Sequence, residues 1–123
     1  MFLLDTHVLL WWLANIELAP EIKELIANPR TTVMVSSATT WEIAIKKNIG
    51  KLESPDDLED QININNFLAL PIQINHSMYA GQLISHHGDP FDRMLIAQAK
   101  IEGLTLITRD SRFESYDVSL LMA

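Results

Sequence analysis

The segment from His86 to Asp110, HHGDPFDRMLIAQAKIEGLTLITRD, leaves the chain little choice of fold, because it holds a helix start, a helix stop and a buried strand in one piece. Asp89-Pro90 is an N-cap with proline at the first helical position, and Gly103 stands where a left-handed residue closes a helix. Between them Phe91, Met94, Leu95, Ile96, Ala97, Ala99 and Ile101 are apolar over most of the circumference, as in a helix packed on a sheet and on other helices. Leu104 to Thr108 then reads as a short buried strand that ends at Arg109-Asp110. Asp92, in the first turn of the helix, and Asp110, at the strand exit, are placed to meet.

The rest of the chain repeats this alternation. Phe2-Leu3-Leu4 is a short strand ending at Asp5, and Thr6 is the expected cap of a helix through Val8, Leu9, Trp12 and Leu13. Pro20 opens a second helix that Asn28-Pro29 ends, and Thr31 to Val35 is a β-branched strand. Ser36-Ser37 leads into a third helix with Trp41, Ala44, Ile45 and Ile49 as its apolar stripe, Glu42 one step off it, and Gly50 as its stop. A helix after Ser54-Pro55, a short strand or extended edge over Leu68 to Ile74, a helix over His76 to Ile84 and a last strand over Val118 to Met122 complete the pattern. Alternating strands and helices predict a parallel α/β sandwich, whose sites lie beyond the carboxyl ends of the strands.

Composition narrows the chemistry. The absence of cysteine excludes disulfides and thiolate metal sites, so any metal must be held by oxygen or imidazole. The apolar run Val8 to Ala14 is too short to span a bilayer and Asp5 breaks any signal-peptide pattern, so the expected compartment is the cytoplasm. A net charge of −7 opposes broad adhesion to nucleic acid or anionic membrane, although bound divalent cations reverse the sign locally.

Four acids sit at element ends: Asp5, Glu42, Asp92 and Asp110. Taken singly, each has an ordinary structural reading as a turn former, a capping-box partner of Thr39, a helix N-terminal charge or an Asx-turn. Together they are costly, since two like charges about 4 Å apart repel by about 4 kcal/mol at an effective dielectric near 20. A convergent set requires protons or cations, and carboxylates without thiolates favour Mg²⁺ or Mn²⁺. Such a site suits hydrolysis of a phosphodiester.

Leu3-Leu4-Asp5-Thr6, the run Ser36 to Ile43, the run Asp89 to Ala99 and Thr108 to Phe113 together resemble a PIN domain, specifically the VapC-type toxin ribonucleases of bacterial toxin–antitoxin pairs. The resemblance covers nearly the whole chain. It implies a single domain over residues 1–123, a three-layer α/β/α sandwich with a mainly parallel sheet of four or five short strands. It also implies that Asp5, Glu42, Asp92 and Asp110 are the catalytic, metal-binding set of an Mg²⁺- or Mn²⁺-dependent endoribonuclease. An RNA substrate, a VapB-type antitoxin partner and a homodimer follow from the same resemblance.

Asp89 is read first as the helix cap, with a water-mediated metal contact as the minority view. Thr6, Ser37 and Thr108 are candidates to orient ligands, and Ser37 is equally suited to capping. Arg93 and Arg109 suit either RNA phosphate or a neighbouring acid, while Lys46, Lys47 and Lys51 suit a helix C-terminus without any RNA. His7, His86 and His87 lie beside acidic positions but fit packing or substrate contact better than metal binding. Trp11, Trp12 and Trp41 are expected in the core or a dimer interface rather than as base-stacking platforms. Two competing functions remain. A haloacid-dehalogenase-type phosphatase would use the strand-end Asp5 but wants a second acid where His7 stands, and a catalytically inert PIN-like module would bind RNA or protein without cutting.

Overall fold

In a computed structural model, which describes residues 1–84 and 88–123, five strands form one wholly parallel sheet. The elements run β1 (Phe2–Leu4), α1 (Thr6–Ala14), α2 (Pro20–Ala27), β2 (Val33–Ser36), α3 (Ser37–Asn48), α4 (Leu58–Ile64) and β3 (Leu68–Leu70). They continue through α5 (Ile74–Gln82), α6 (Pro90–Glu102), β4 (Thr105–Thr108), a 3₁₀ turn (Ser111–Ser115) and β5 (Leu120–Met122). The strand order is β3-β2-β1-β4-β5. From β1 the chain passes to β2 on one side, and β4 later pairs on the other, so the connections diverge at the β1/β4 boundary. A crevice opens at such a switch point, beyond the carboxyl ends of the strands.

Alternation along the strands divides the core in two. Leu4, Val33, Val35 and Ile107 pack with Val8, Leu9, Ile22 and Ile26 on one face, whereas Leu3 and Leu106 pack with Leu95, Ile96, Ala99 and Phe113 on the other. Leu3, Leu4, Leu106 and Ile107 are wholly buried, each contributing about 1.5–3 kcal/mol relative to exposure. Strands buried on both sides need no polar alternation, so these read as continuous apolar runs. The expected α/β sandwich with a parallel sheet is present.

Helix α6 has the expected ends. Asp89 Oδ1 accepts from the backbone N–H groups of Phe91 and Asp92 at 2.9 and 3.1 Å, and Gly103 takes the left-handed conformation at φ 67°. Other details depart from the sequence reading. Asp5, not Thr6, is the N-cap of α1, and Ser36, not Ser37, caps α3 through the N–H of Ala38 at 3.0 Å. Strand β3 stops at Leu70 because Pro71 has no N–H to offer the ladder, and α5 begins at Ile74 rather than His76.

The largest difference lies in α3. Its buried face is Ala38, Thr39, Glu42 and Ile43, so Trp41, Ile45 and Ile49 face outward and Trp41 is 60% exposed. The expected stripe is thus rotated by about one residue, and an acid occupies the inward position. Phe91 meets the exposed Trp41 edge-on at 5.4 Å between ring centres. Trp12 is half-buried against Phe67 and donates to Asn65 at 2.9 Å. No helix among the described residues is long and apolar enough to cross a membrane.

Candidate active site

Asp5, Glu42, Asp92 and Asp110 line one cavity of about 420 Å³ together with Asp89. Each reaches it from a different element. Asp5 follows β1, and its N–H still bonds to Ile107 O at 3.0 Å, which fixes it at the boundary with β4. Glu42 projects from the buried face of α3, Asp92 from the first turn of α6, and Asp110 follows β4 and caps the 3₁₀ turn.

Hydroxyl groups hold the acids in place. Asp5 Oδ1 accepts from Thr6 N–H at 2.7 Å and Oδ2 from Thr108 Oγ1 at 2.7 Å. Thr6 Oγ1 donates to Glu42 Oε1 at 2.5 Å, linking the start of α1 to α3. Ser37 stands apart from this group, its Oγ accepting from Ile72 N–H at 3.1 Å. Behind α3 the buried Ser36 Oγ donates to Gln98 Oε1 at 2.5 Å, which ties the α3 cap to α6.

Two cations already stand among the acids. Lys46 Nζ lies 2.5 Å from Glu42 Oε2, one helical turn on along α3. Arg112 embraces Asp110 in a fork, with Nη2 to Oδ2 at 2.7 Å and Nε to Oδ1 at 3.0 Å. Burial pushes the Asp5 carboxyl above the ordinary range, and Glu42 adds to that push, while Thr108, the Thr6 N–H and His7 oppose it. The bond to Glu42 raises Lys46, helped by the charges of Asp89 and Asp92. The bond to Asp110 likewise raises Arg112, again with contributions from Asp92 and Asp89. Lys46 and Arg112 thus each feel acids beyond their own partner.

The remaining sequence candidates fall in different places. Asp89 is both the α6 cap and part of the cavity wall. Arg109 lines the cavity with its guanidinium 4.2 Å from the centre of the Trp11 ring, bonds Ala123 O at 3.2 Å and also bonds Glu17 O. Arg93 instead donates to Ala80 O and Leu83 O at 3.0 and 2.8 Å, closing the end of α5. His7 lines the cavity beside Trp11, while His86 and His87 lie outside the described residues. Lys46, Arg112 and Trp11 are the cavity residues that the sequence reading did not assign to it. The spacing of Glu42 and Lys46, four apart on one helix, was the available signal for the first.

The acidic donors of the cavity are all carboxylates, which fits a hard divalent ion chemically. Among the described residues no three acids or histidines are yet close enough to hold an ion, and Glu42 and Asp110 are each engaged by a cation. Metal binding at this site thus requires an exchange of partners.

A family model described as PIN domain matches residues 2–119. No curated protein matches. Among solved structures, the chain is similar to one in VapBC2 from Rickettsia felis bound to a promoter DNA fragment, with TM-score 0.74, 16% identity and coverage of 99% of this chain and 98% of that one. It is also similar to a chain of a toxin–antitoxin complex from Klebsiella pneumoniae, at TM-score 0.70, 18% identity and coverage of 98% and 96%. A chain of FitAcB from Neisseria gonorrhoeae gives TM-score 0.70 at 21% identity, again with coverage of 98% and 96%.

Proposed function

This chain belongs to the PIN-domain family, and from that premise we propose that it is a metal-dependent endoribonuclease, the VapC-type toxin of a toxin–antitoxin pair. The observation that carries the reading is the convergence of Asp5, Glu42, Asp92 and Asp110 from four elements on one cavity at the sheet's switch point. No packing need explains why a small domain would gather so many like charges there.

Asp5, Glu42, Asp92 and Asp110 would hold Mg²⁺ or Mn²⁺. The bound ion would lower the pKa of an attacking water and stabilise charge on the scissile phosphate. The chain's own residues do the positioning. Thr108 and Thr6 N–H fix both oxygens of Asp5, and the Thr6 hydroxyl fixes one oxygen of Glu42, so these two acids are held toward the cavity. Arg109, braced on Trp11, and Arg112 supply positive charge on the cavity wall for an RNA backbone.

One like-folded protein is part of a toxin–antitoxin complex, from Klebsiella pneumoniae, which supports a cognate VapB-type antitoxin as partner. The excess of acid in the cavity suits a basic antitoxin side chain that competes with metal. A homodimer acting in the cytoplasm, where RNA is at hand, belongs to the same proposal. The Lys46–Glu42 and Arg112–Asp110 pairs favour one alternative, an inert PIN-like module stabilised by its own counter-ions.

The test is cleavage of mixed cellular RNA by antitoxin-free protein with Mn²⁺, Mg²⁺ or EDTA, beside an Asp92→Ala variant prepared in the same way. Discrete fragments that vanish with EDTA and in the variant are expected. Folded protein that binds RNA yet never cuts under either metal would replace the nuclease with the inert module.

A further inference from the structure

Glu42 is almost wholly buried, and both of its oxygens are engaged, Oε1 by the Thr6 hydroxyl and Oε2 by Lys46 at 2.5 Å each. A carboxylate taken from water without a countercharge is strongly unfavourable, so Lys46 makes this position tolerable in the metal-free fold. The two partners differ in mobility. Thr6 is buried at the start of α1, whereas the Lys46 side chain is 31% exposed on a flexible four-carbon stem and can withdraw toward solvent. A divalent ion on Glu42 and an ammonium 2.5 Å from the same carboxylate are like charges at close range in a poorly screened place.

We infer that Lys46 is the resident counter-ion of the acidic cavity: it neutralises Glu42 until a divalent cation enters, and metal loading proceeds by its displacement. The inference rests on the metal-binding reading of this cavity. Arg112 does the same for Asp110 in a weaker way, since its side chain is 63% exposed and its charge is screened by water. Lys46 is therefore a positioning residue that sets the metal affinity of the site.

Mn²⁺ binding to the wild type, Lys46→Met and Lys46→Gln, measured by calorimetry with melting curves in parallel, tests this. Without metal the variants should melt below the wild type. They should bind Mn²⁺ about tenfold more tightly, the effect of removing one nearby positive charge, and gain more in melting temperature on loading. Variants that bind Mn²⁺ no more tightly than a wild type that does bind it overturn the role of Lys46 and leave the metal reading standing. If neither wild type nor variants bind, both fall. The wild type supplies a check independent of variant folding: in lysine-labelled protein the Lys46 side-chain signals should move during an Mg²⁺ titration while those of Lys100, paired with Asp117, stay in place. A Lys46 signal unchanged at saturating metal also overturns the inference.

Discussion

The Thr108 hydroxyl donates to Asp5 Oδ2 at 2.7 Å, joining the ends of two neighbouring strands that are 103 residues apart in the chain. Thr108 Oγ1 in turn accepts the N–H of Asp110 at 3.0 Å. One side chain at the end of β4 thereby fastens two of the four acids. The sheet register makes this possible, because Leu4 is paired with Ile107, so Asp5, just past the end of β1, lies beside Thr108, the last residue of β4.

Thr108→Val keeps the shape of the wholly buried side chain and removes both bonds. Loss of a buried hydrogen bond to a charged group costs about 1.5–3 kcal/mol. The variant should therefore melt several degrees below the wild type by calorimetry and lose nuclease activity, while Thr108→Ser should recover most of both. Equal melting temperatures for Val and wild type would remove the hydroxyl from the account.

Asp5 makes the metal-free protein sensitive to pH. Burial raises its carboxyl above the ordinary range, so the folded chain holds that proton more tightly than the unfolded chain. Its contribution to stability is consequently present at low pH and declines as pH rises through the raised value. Asp5→Asn keeps an oxygen for the Thr6 N–H and carries no charge. Without metal it should melt a few degrees above the wild type near neutrality, and the difference should shrink on acidification. A difference that grew on acidification would have the wrong sign. Nuclease activity should be lost at every pH.

The reason some of this was readable beforehand is that it is local. Asp89-Pro90 and Gly103 delimit α6 through bonds within a few residues, and the strand-end positions of Asp5 and Asp110 follow from where the apolar runs stop. What was hidden is relational. Periodicity alone puts the apolar stripe of Trp41, Ala44, Ile45 and Ile49 inward in α3, with Glu42 one step off it. The buried face contains Glu42 instead because Thr6 and Lys46 satisfy it there. Likewise Lys46 fits a helix C-terminus by position alone, and only the convergence of α3 with α1 and α6 gives it an acidic cavity to serve.

Gly103 offers a stability change that leaves the cavity alone. Its φ is 67°, and a Cβ added there would meet no atom within 4 Å, so the cost of Gly103→Ala is conformational. About 1 kcal/mol is expected from holding an L-residue in that region. Denaturant melts should show the midpoint falling with the slope unchanged, and Mn²⁺ affinity equal to that of the wild type. A change in affinity would mean that the end of α6 is coupled to its first turn, where Asp92 stands.

Arg93 separates a structural cation from an RNA-binding one. Its sequence position, next to Asp92, suits a phosphate contact, but its Nη2 donates to the Leu83 carbonyl and to that of Ala80, which also accepts the Leu83 N–H at 3.4 Å, so it closes the C-terminal end of α5. Arg93→Met retains most of the stem and removes the guanidinium from both carbonyls, leaving Ala80 O only its bond from the Leu83 N–H, a loss of about 1–3 kcal/mol. The variant should melt lower than the wild type. In an Asp92→Asn background, chosen to stop cleavage during the measurement, the dependence of RNA affinity on salt should be the same with Arg93 or Met, because a residue that contacts no phosphate releases no counter-ion. A true phosphate contact would instead reduce the slope of log affinity against log salt by about 1, and that result would move Arg93 from the end of α5 into the RNA path.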